Sequence, residues 1–195
     1  MFDLKGRRLV LASESPRRAQ LFRQIGLEFV VRKSGADEEN DVPAEPKQHV
    51  LALSRRKAEH VAATEPDALV VGADTIVVID GDILGKPASR QHAFDMLKRL
   101  SGRTHRVFTG FTVLDTRSGA SVADVEVTEV HFRELEEDEI WRYIDTGSPM
   151  DKAGAYGIQD QSAVFVDRIN GCFYNVVGFP LARFYLRMRE FLAQL

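Results

Sequence analysis

Apolar positions along this chain come in two patterns, short β-branched runs and stripes spaced by three and four. The two alternate through the first half, and the runs dominate the second. Arg8 to Ala12 reads as a short buried strand. Ser15 and Pro16 then supply an N-cap and a favoured first helical residue, and the predicted helix runs to Gly26 with Leu21, Phe22 and Ile25 on one face. Phe29 to Lys33 predicts a second strand, the polar stretch Ser34 to Pro46 a surface loop, and Gln48 to Ala63 a helix. Leu69 to Val71 and Thr75 to Ile79 are apolar, β-branched runs on either side of Gly72-Ala73-Asp74. Asp80-Gly81 predicts a hairpin turn into Ile83 and Leu84. A helix over Ser89 to Leu100 follows, with Ala93, Met96, Leu97 and Leu100 facing inward.

In the second half, Val107 to Asp115 and Val122 to Phe132 predict a hairpin about Ser118-Gly119, and Glu136 to Ile144 a short helix. Ala163 to Ile169 is expected to pair with Cys172 to Val177 through Asn170-Gly171. A last amphipathic helix starts near Leu181. No repeat, low-complexity tract or linker interrupts these elements, so the expectation is one α/β domain over residues 1–195, built on a mixed, twisted sheet with flanking helices.

Composition narrows the class. At 195 residues, with 44% hydrophobic, 28% charged and 9% aromatic residues, the chain has material for a proper core. Its 26 basic and 29 acidic residues leave a net charge of −3, so no overall field favours nucleic acid or an anionic membrane, and any polyanion site must be local. The single cysteine, Cys172, forbids an intrachain disulfide and a multi-cysteine metal site; it reads as strand packing. The apolar stretch Leu9 to Ala12 is too short for a signal segment, so the protein is read as cytoplasmic and mature from Met1.

Three places carry chemistry. Ser13-Glu14-Ser15-Pro16-Arg17-Arg18 stands where a strand gives way to a helix; free backbone N–H groups, two hydroxyls and two guanidinium groups there suit a phosphate chain. A plain cap with solvated arginines is the alternative. Lys57 lies on the stripe Leu53-Lys57-Val61, which puts an ammonium on a face that should be buried, unless it snorkels. Asp74 lies between two apolar runs, where an uncompensated charge costs several kcal/mol, so it should have a partner, a metal or a raised pKa. Gly72 and Ala73 would let a ligand approach the backbone, and Lys86 in Gly85-Lys86-Pro87 is a possible counter-ion.

The acidic run Asp37-Glu38-Glu39 offers oxygen ligands for Mg2+ or Mn2+. Asp151 to Gln159 mixes glycines, charges, an aromatic ring and an amide, and Gln159 could read a nucleobase. The five histidines show no HExxH spacing, and no GxSxG, P-loop or GxGxxG is present.

LASESPRR, Glu38, RRKA around Lys57, GADT, GKP, LSGRTHRVFTG and DKAGAYGIQ, in this order from Leu9 to Pro180, resemble the Maf family of nucleotide pyrophosphatases. The DKAGAYGIQ form, with Arg17 and Thr75, resembles the subgroup acting on dTTP and UTP. The resemblance implies an inosine-triphosphatase-like α/β fold with a deep cleft between two lobes, and a hydrolase of acid anhydrides that releases a nucleoside monophosphate and pyrophosphate. It implies a divalent cation, Mg2+, Mn2+ or Co2+, held by Asp74 and Glu38, and a catalytic set of Asp74, Glu38, Lys57 and Lys86. Substrate contacts are implied for Ser13, Ser15, Arg17, Arg18, Thr75, Lys152 and Gln159, with Arg17, Thr75 and Gln159 tied to base selectivity. A homodimer acting on a nucleoside triphosphate is expected, with no nucleic acid or membrane partner. A non-catalytic nucleotide-binding regulator of septum formation is the rival reading from another class, and a phosphatase removing the terminal phosphate is a third.

Overall fold

The computed structural model describes residues 2–38 and 40–195; Glu39, one of the three acidic residues singled out above, lies outside them. In chain order the elements are β1 (Arg8–Ala12), α1 (Pro16–Gln24), β2 (Val30–Arg32), α2 (Pro46–Ala62), β3 (Ala68–Ile79), β4 (Asp82–Leu84) and α3 (Arg90–Leu100). Then follow β5 (Thr104–Asp115), β6 (Ser121–Phe132), α4 (Glu137–Asp145), β7 (Val166–Asn170), α5 (Phe173–Val177) and α6 (Leu181–Gln194). Among the described residues no helix is long and apolar enough to cross a membrane.

Among the described residues seven strands form one mixed sheet in the order β2-β1-β3-β5-β6-β7, with β4 paired to β3. β1 runs parallel to β2 and to β3, while β4 on β3 and β7 on β6 are antiparallel. The chain divides into two compact units, one of Met1–Asp74, Thr109–Glu126 and Gly178–Leu195, the other of Thr75–Phe108 and Val127–Val177.

In the first unit β1 is buried at four of its five positions, as expected for a strand with parallel neighbours on both edges. An aromatic cluster closes this core: Phe22 of α1 lies 4.9 Å from Phe179 and 5.4 Å from Phe184 of α6, ring centre to ring centre. Helix α2 sits directly on the sheet because two glycines admit it. A Cβ at Gly72 would stand 2.1 Å from the Ser54 carbonyl oxygen and 2.7 Å from the Ala58 nitrogen, and one at Gly110 would stand 2.7 Å from the Val50 carbonyl. Gly72 therefore makes room for a helix rather than for a ligand. For the same reason Gly72-Ala73-Asp74 does not interrupt the strand: β3 continues through it without a break.

The second unit is organised around Phe132, Leu97, Leu100, Ile140 and Tyr156. Here one expected hairpin is absent. Strand β7 pairs with β6, and residues 173–177 form helix α5 instead of a strand. The cause is Thr128 on β6, whose hydroxyl accepts from the Cys172 N–H at 3.0 Å and from Asn175 Nδ2 at 3.0 Å. Gly171 lies so close that a Cβ would meet Thr128 Oγ1 at 2.9 Å. Captured in this way the chain turns into a helix, and Cys172 sits in the turn that precedes it, half-buried.

His105 on β5 is buried in the same unit, its Nε2 2.7 Å from the Tyr156 hydroxyl and its Nδ1 without a partner among the described residues. Burial, helped by the charge of His131, pushes its pKa down to about 3. An unfolded histidine binds a proton below about 6.5, and the folded one does not until near 3. Stability is therefore complete above pH 6.5 and falls as the pH drops towards 3, by about 1.4 kcal/mol per pH unit for this group. Urea titrations at pH 7 and pH 5 should show a loss that His105→Gln, which cannot titrate, reduces by about 2 kcal/mol; an equal loss in both proteins would remove His105 as its source.

Candidate functional site

Four of the expected site residues, Ser13, Ser15, Arg17 and Arg18, lie in the first unit at the end of β1 and the start of α1. Ser15 caps α1 and Pro16 opens it, which leaves the first N–H groups of the helix pointing out of its N-terminus. The buried Ser13 Oγ accepts from the Ser15 N–H and from Arg18 Nη1, each at 3.2 Å. Arg18 also donates through Nε to the Gly178 carbonyl at 2.9 Å, which fixes its guanidinium. Burial lowers the Arg18 pKa, the charges of Asp74 and Glu38 act to raise it, and Arg17 lowers it. Those causes place Arg18, Arg17, Asp74 and Glu38 within one electrostatic neighbourhood.

Lys57 completes that neighbourhood from α2. It is only 7% exposed, on the buried stripe with Leu53 and Val61, as the periodicity predicts. Its ammonium lies 2.7 Å from Asp74 Oδ1 and 3.1 Å from Glu38 Oε2. Asp74, also 7% exposed, thus has the partner that its apolar setting demands, and that partner is Lys57. Asp74 Oδ2 makes no hydrogen bond among the described residues. Among the described residues the guanidinium groups of Arg17 and Arg18 and the Lys57 ammonium share one neighbourhood with the Asp74 and Glu38 carboxylates.

The loop that carries Glu38 is held by a residue that sequence reasoning did not single out. Arg56, the neighbour of Lys57, donates to the carbonyls of Asn40 at 2.5 Å and Asp41 at 2.7 Å, and reaches that of Asp37 at 3.5 Å. Its place in Arg55-Arg56-Lys57-Ala58 was the available signal, but three backbone acceptors 15 to 19 residues upstream have no sequence signature.

Among the described residues two side-chain carboxylates, Asp74 and Glu38, stand where a divalent cation could be held. Among the described residues no three His, Cys, Asp or Glu side chains stand close enough together to hold an ion. That donor set fits a hard cation that keeps several waters and takes the remaining oxygens from substrate phosphates, and does not fit an all-protein cage.

The second unit carries Thr75, Lys86, Lys152 and Gln159. Thr75 follows Asp74 on β3 and is half-buried. The loops of Lys86 and of Asp151 to Gln159 meet: the Gly154 N–H donates to the Gly85 carbonyl at 3.0 Å. Lys86 and Gln159 are exposed. Lys152 differs from them, being buried with its ammonium bonded to Ser148 and Asp151.

This mixed α/β fold, with a basic strand-to-helix junction facing a buried lysine–carboxylate pair, has a known counterpart. A sequence model of the Maf-like protein family matches residues 8–191, and the chain belongs to that family. Curated relatives named dTTP/UTP pyrophosphatase are similar over nearly the whole chain. The one from Desulforamulus reducens is 46% identical over 185 residues, 95% of this chain and 97% of that protein. Those from Thermococcus onnurineus and Thermococcus kodakarensis are 53% and 52% identical, covering 89% of this chain and 92% and 91% of their own.

Proposed function

We propose that this protein hydrolyses UTP and dTTP to the monophosphate and pyrophosphate with the help of a divalent cation. The observation that carries the reading is Lys57 bridging Asp74 and Glu38 beside the Ser13 and Arg18 cradle. The names borne by the curated relatives support the same substrates.

In this reading Ser13, Ser15, Arg17, Arg18 and Lys57 bind and orient the phosphate chain, and Lys86 is assigned to the same triphosphate. Asp74 and Glu38 would hold the cation, which would neutralise negative charge of the triphosphate. Asp74 Oδ2 takes a proton from water as the water oxygen bonds to the α-phosphorus. The bridging bond to the β-phosphate breaks, and pyrophosphate leaves with the electron pair. Lys57, 2.7 Å from Asp74 Oδ1, holds the carboxylate in place.

Thr75, Arg17 and Gln159 are assigned to base selection. The Gln159 amide offers both a donor and an acceptor, which a pyrimidine edge can satisfy together. Gln159→Ala should lower the ratio of UTP to GTP rates by about tenfold while leaving GTP turnover nearly unchanged; an unaltered ratio would take Gln159 out of this role. The family match runs without interruption through both units, which supports one functional domain over the whole chain. A cytoplasmic homodimer with no nucleic acid or membrane partner belongs to the same reading, and light scattering on the eluted protein reports its mass.

The deciding experiment is a panel of nucleoside triphosphates with Mg2+, Mn2+ or Co2+, with products separated by chromatography. UTP and dTTP should be consumed fastest, only with metal, and give monophosphate and pyrophosphate. Tight nucleotide binding without turnover under every metal would replace an enzyme by a binding protein.

A further inference from the structure

The ammonium of Lys152 is saturated by its own unit. It donates to the Ser148 carbonyl at 2.5 Å, to Asp151 Oδ1 at 2.6 Å and to Ser148 Oγ at 3.1 Å. A lysine has three donors, and all three have acceptors here. The stem is equally committed, because a Cβ on Gly157 would stand 2.7 Å from Lys152 Cε and 2.9 Å from Cδ. The side chain thus runs across the bare backbone of Gly157 and ends in a closed set of acceptors. A phosphate contact would require the buried Lys152 ammonium to give up at least one of these bonds, held from the half-buried Ser148 and the exposed Asp151.

The set leads to Asp160. Ser148 Oγ donates to Asp160 Oδ2 at 2.7 Å, Tyr143 donates to the same oxygen at 3.0 Å, and Lys152 Nζ lies 3.5 Å from it. The other carboxylate oxygen accepts from the Ser162 N–H at 2.9 Å. Asp160 also takes a backbone bond, its N–H donating to the Gly157 carbonyl at 3.0 Å. The residue next to this anchored position is Gln159, exposed and without a hydrogen bond of its own among the described residues. Its backbone is held on one side while its amide is left for a ligand.

We propose that Lys152 is a positioning residue for base selection: through Ser148 and Asp160 it sets where Gln159 presents its amide, and it does not touch the triphosphate. The proposal rests on the reading of Gln159 given above. It replaces the direct substrate contact that the family resemblance implies for Lys152 with a positioning role, and contact with phosphate and positioning of the base reader respond to different probes.

The test is calorimetry on the intact protein with inorganic tripolyphosphate and with the α,β-imido forms of UTP and GTP. Lys152→Met keeps the stem over Gly157 and deletes the donors. It should bind tripolyphosphate within about twofold of wild type, while the UTP-to-GTP affinity ratio falls about tenfold. Adding Gln159→Ala to it should lower that ratio no further, since both changes act on one contact. Should Lys152→Met fail to fold, Ser148→Ala cuts only the hydroxyl link between the ammonium and Asp160. It should then shift the ratio in the same direction with tripolyphosphate affinity intact. A fall of about tenfold or more in tripolyphosphate affinity, an unchanged ratio, or a wild type with no preference between the analogues would each overturn the proposal. Absence of UTP turnover in the wild type would remove the enzymatic reading alone, because the analogue affinities still decide the part of Lys152.

Discussion

Asp74→Asn should lower UTP turnover by about 10^2 to 10^4, the usual worth of a general base, with loss of metal positioning adding to it. The fold should survive. Asparagine has the same shape, its Oδ1 can still accept from the Lys57 ammonium that now lies 2.7 Å away, and Glu38 at 3.1 Å remains to balance that charge. Binding of UTP should persist, because Ser13, Arg17, Arg18 and Lys57 are untouched and a negative charge beside the phosphates has gone. Steady-state rates, calorimetry with UTP and circular dichroism together separate these effects. A folded Asp74→Asn protein with near wild-type turnover would make this carboxylate structural and move the chemistry to Glu38.

Gly72→Ala should be the most damaging single methyl in the first unit. The added carbon would stand 2.1 Å from a carbonyl oxygen and 2.7 Å from an amide nitrogen of α2, and backbone atoms cannot swing aside as a side-chain tip does. Helix α2 must move off β3, at a cost of about 1–3 kcal/mol for an overfilled contact. Because α2 carries Lys57 and β3 carries Asp74, the same movement stretches their ion pair, and a displacement near 1 Å can cost about 10^2 in rate. Gly110→Ala is the control. It pushes on the same helix at Val50, about two turns before Lys57, so urea midpoints should fall comparably while turnover falls less. Equal loss of turnover in both variants would show that general destabilisation, not the Lys57–Asp74 distance, is what Gly72 protects.

What could be read from the chain alone was what local chemistry writes into it. Ser15-Pro16 announces the start of α1 because capping needs only neighbouring residues. Lys57 is betrayed by its spacing from Leu53 and Val61, and Asp74 by a charge inside an apolar run. The features that escaped depend on groups remote in sequence. Gly72 looked like an opening for a ligand, since a glycine does not say which backbone will approach it. Residues 172–177 have the composition of a strand, but a threonine 44 residues earlier bends them into α5. Arg56 and Asp160 adjoin residues that were legible, yet their acceptors and donors lie in other turns of the chain. Lys152 was legible as a charge in a loop, and only its bonds to Ser148 and Asp151 distinguish an anchored ammonium from an available one.

Attack of water on the α-phosphorus of a pyrimidine nucleoside triphosphate leaves the water oxygen in the nucleotide product. Hydrolysis of UTP in water enriched in oxygen-18, followed by phosphorus NMR or mass analysis of both products, tests it directly. The predicted result is one heavy oxygen in UMP and none in pyrophosphate. Label in the pyrophosphate would place the attack on the β-phosphorus, and label in orthophosphate released beside UDP would place it on the γ-phosphorus; either result contradicts the assignment.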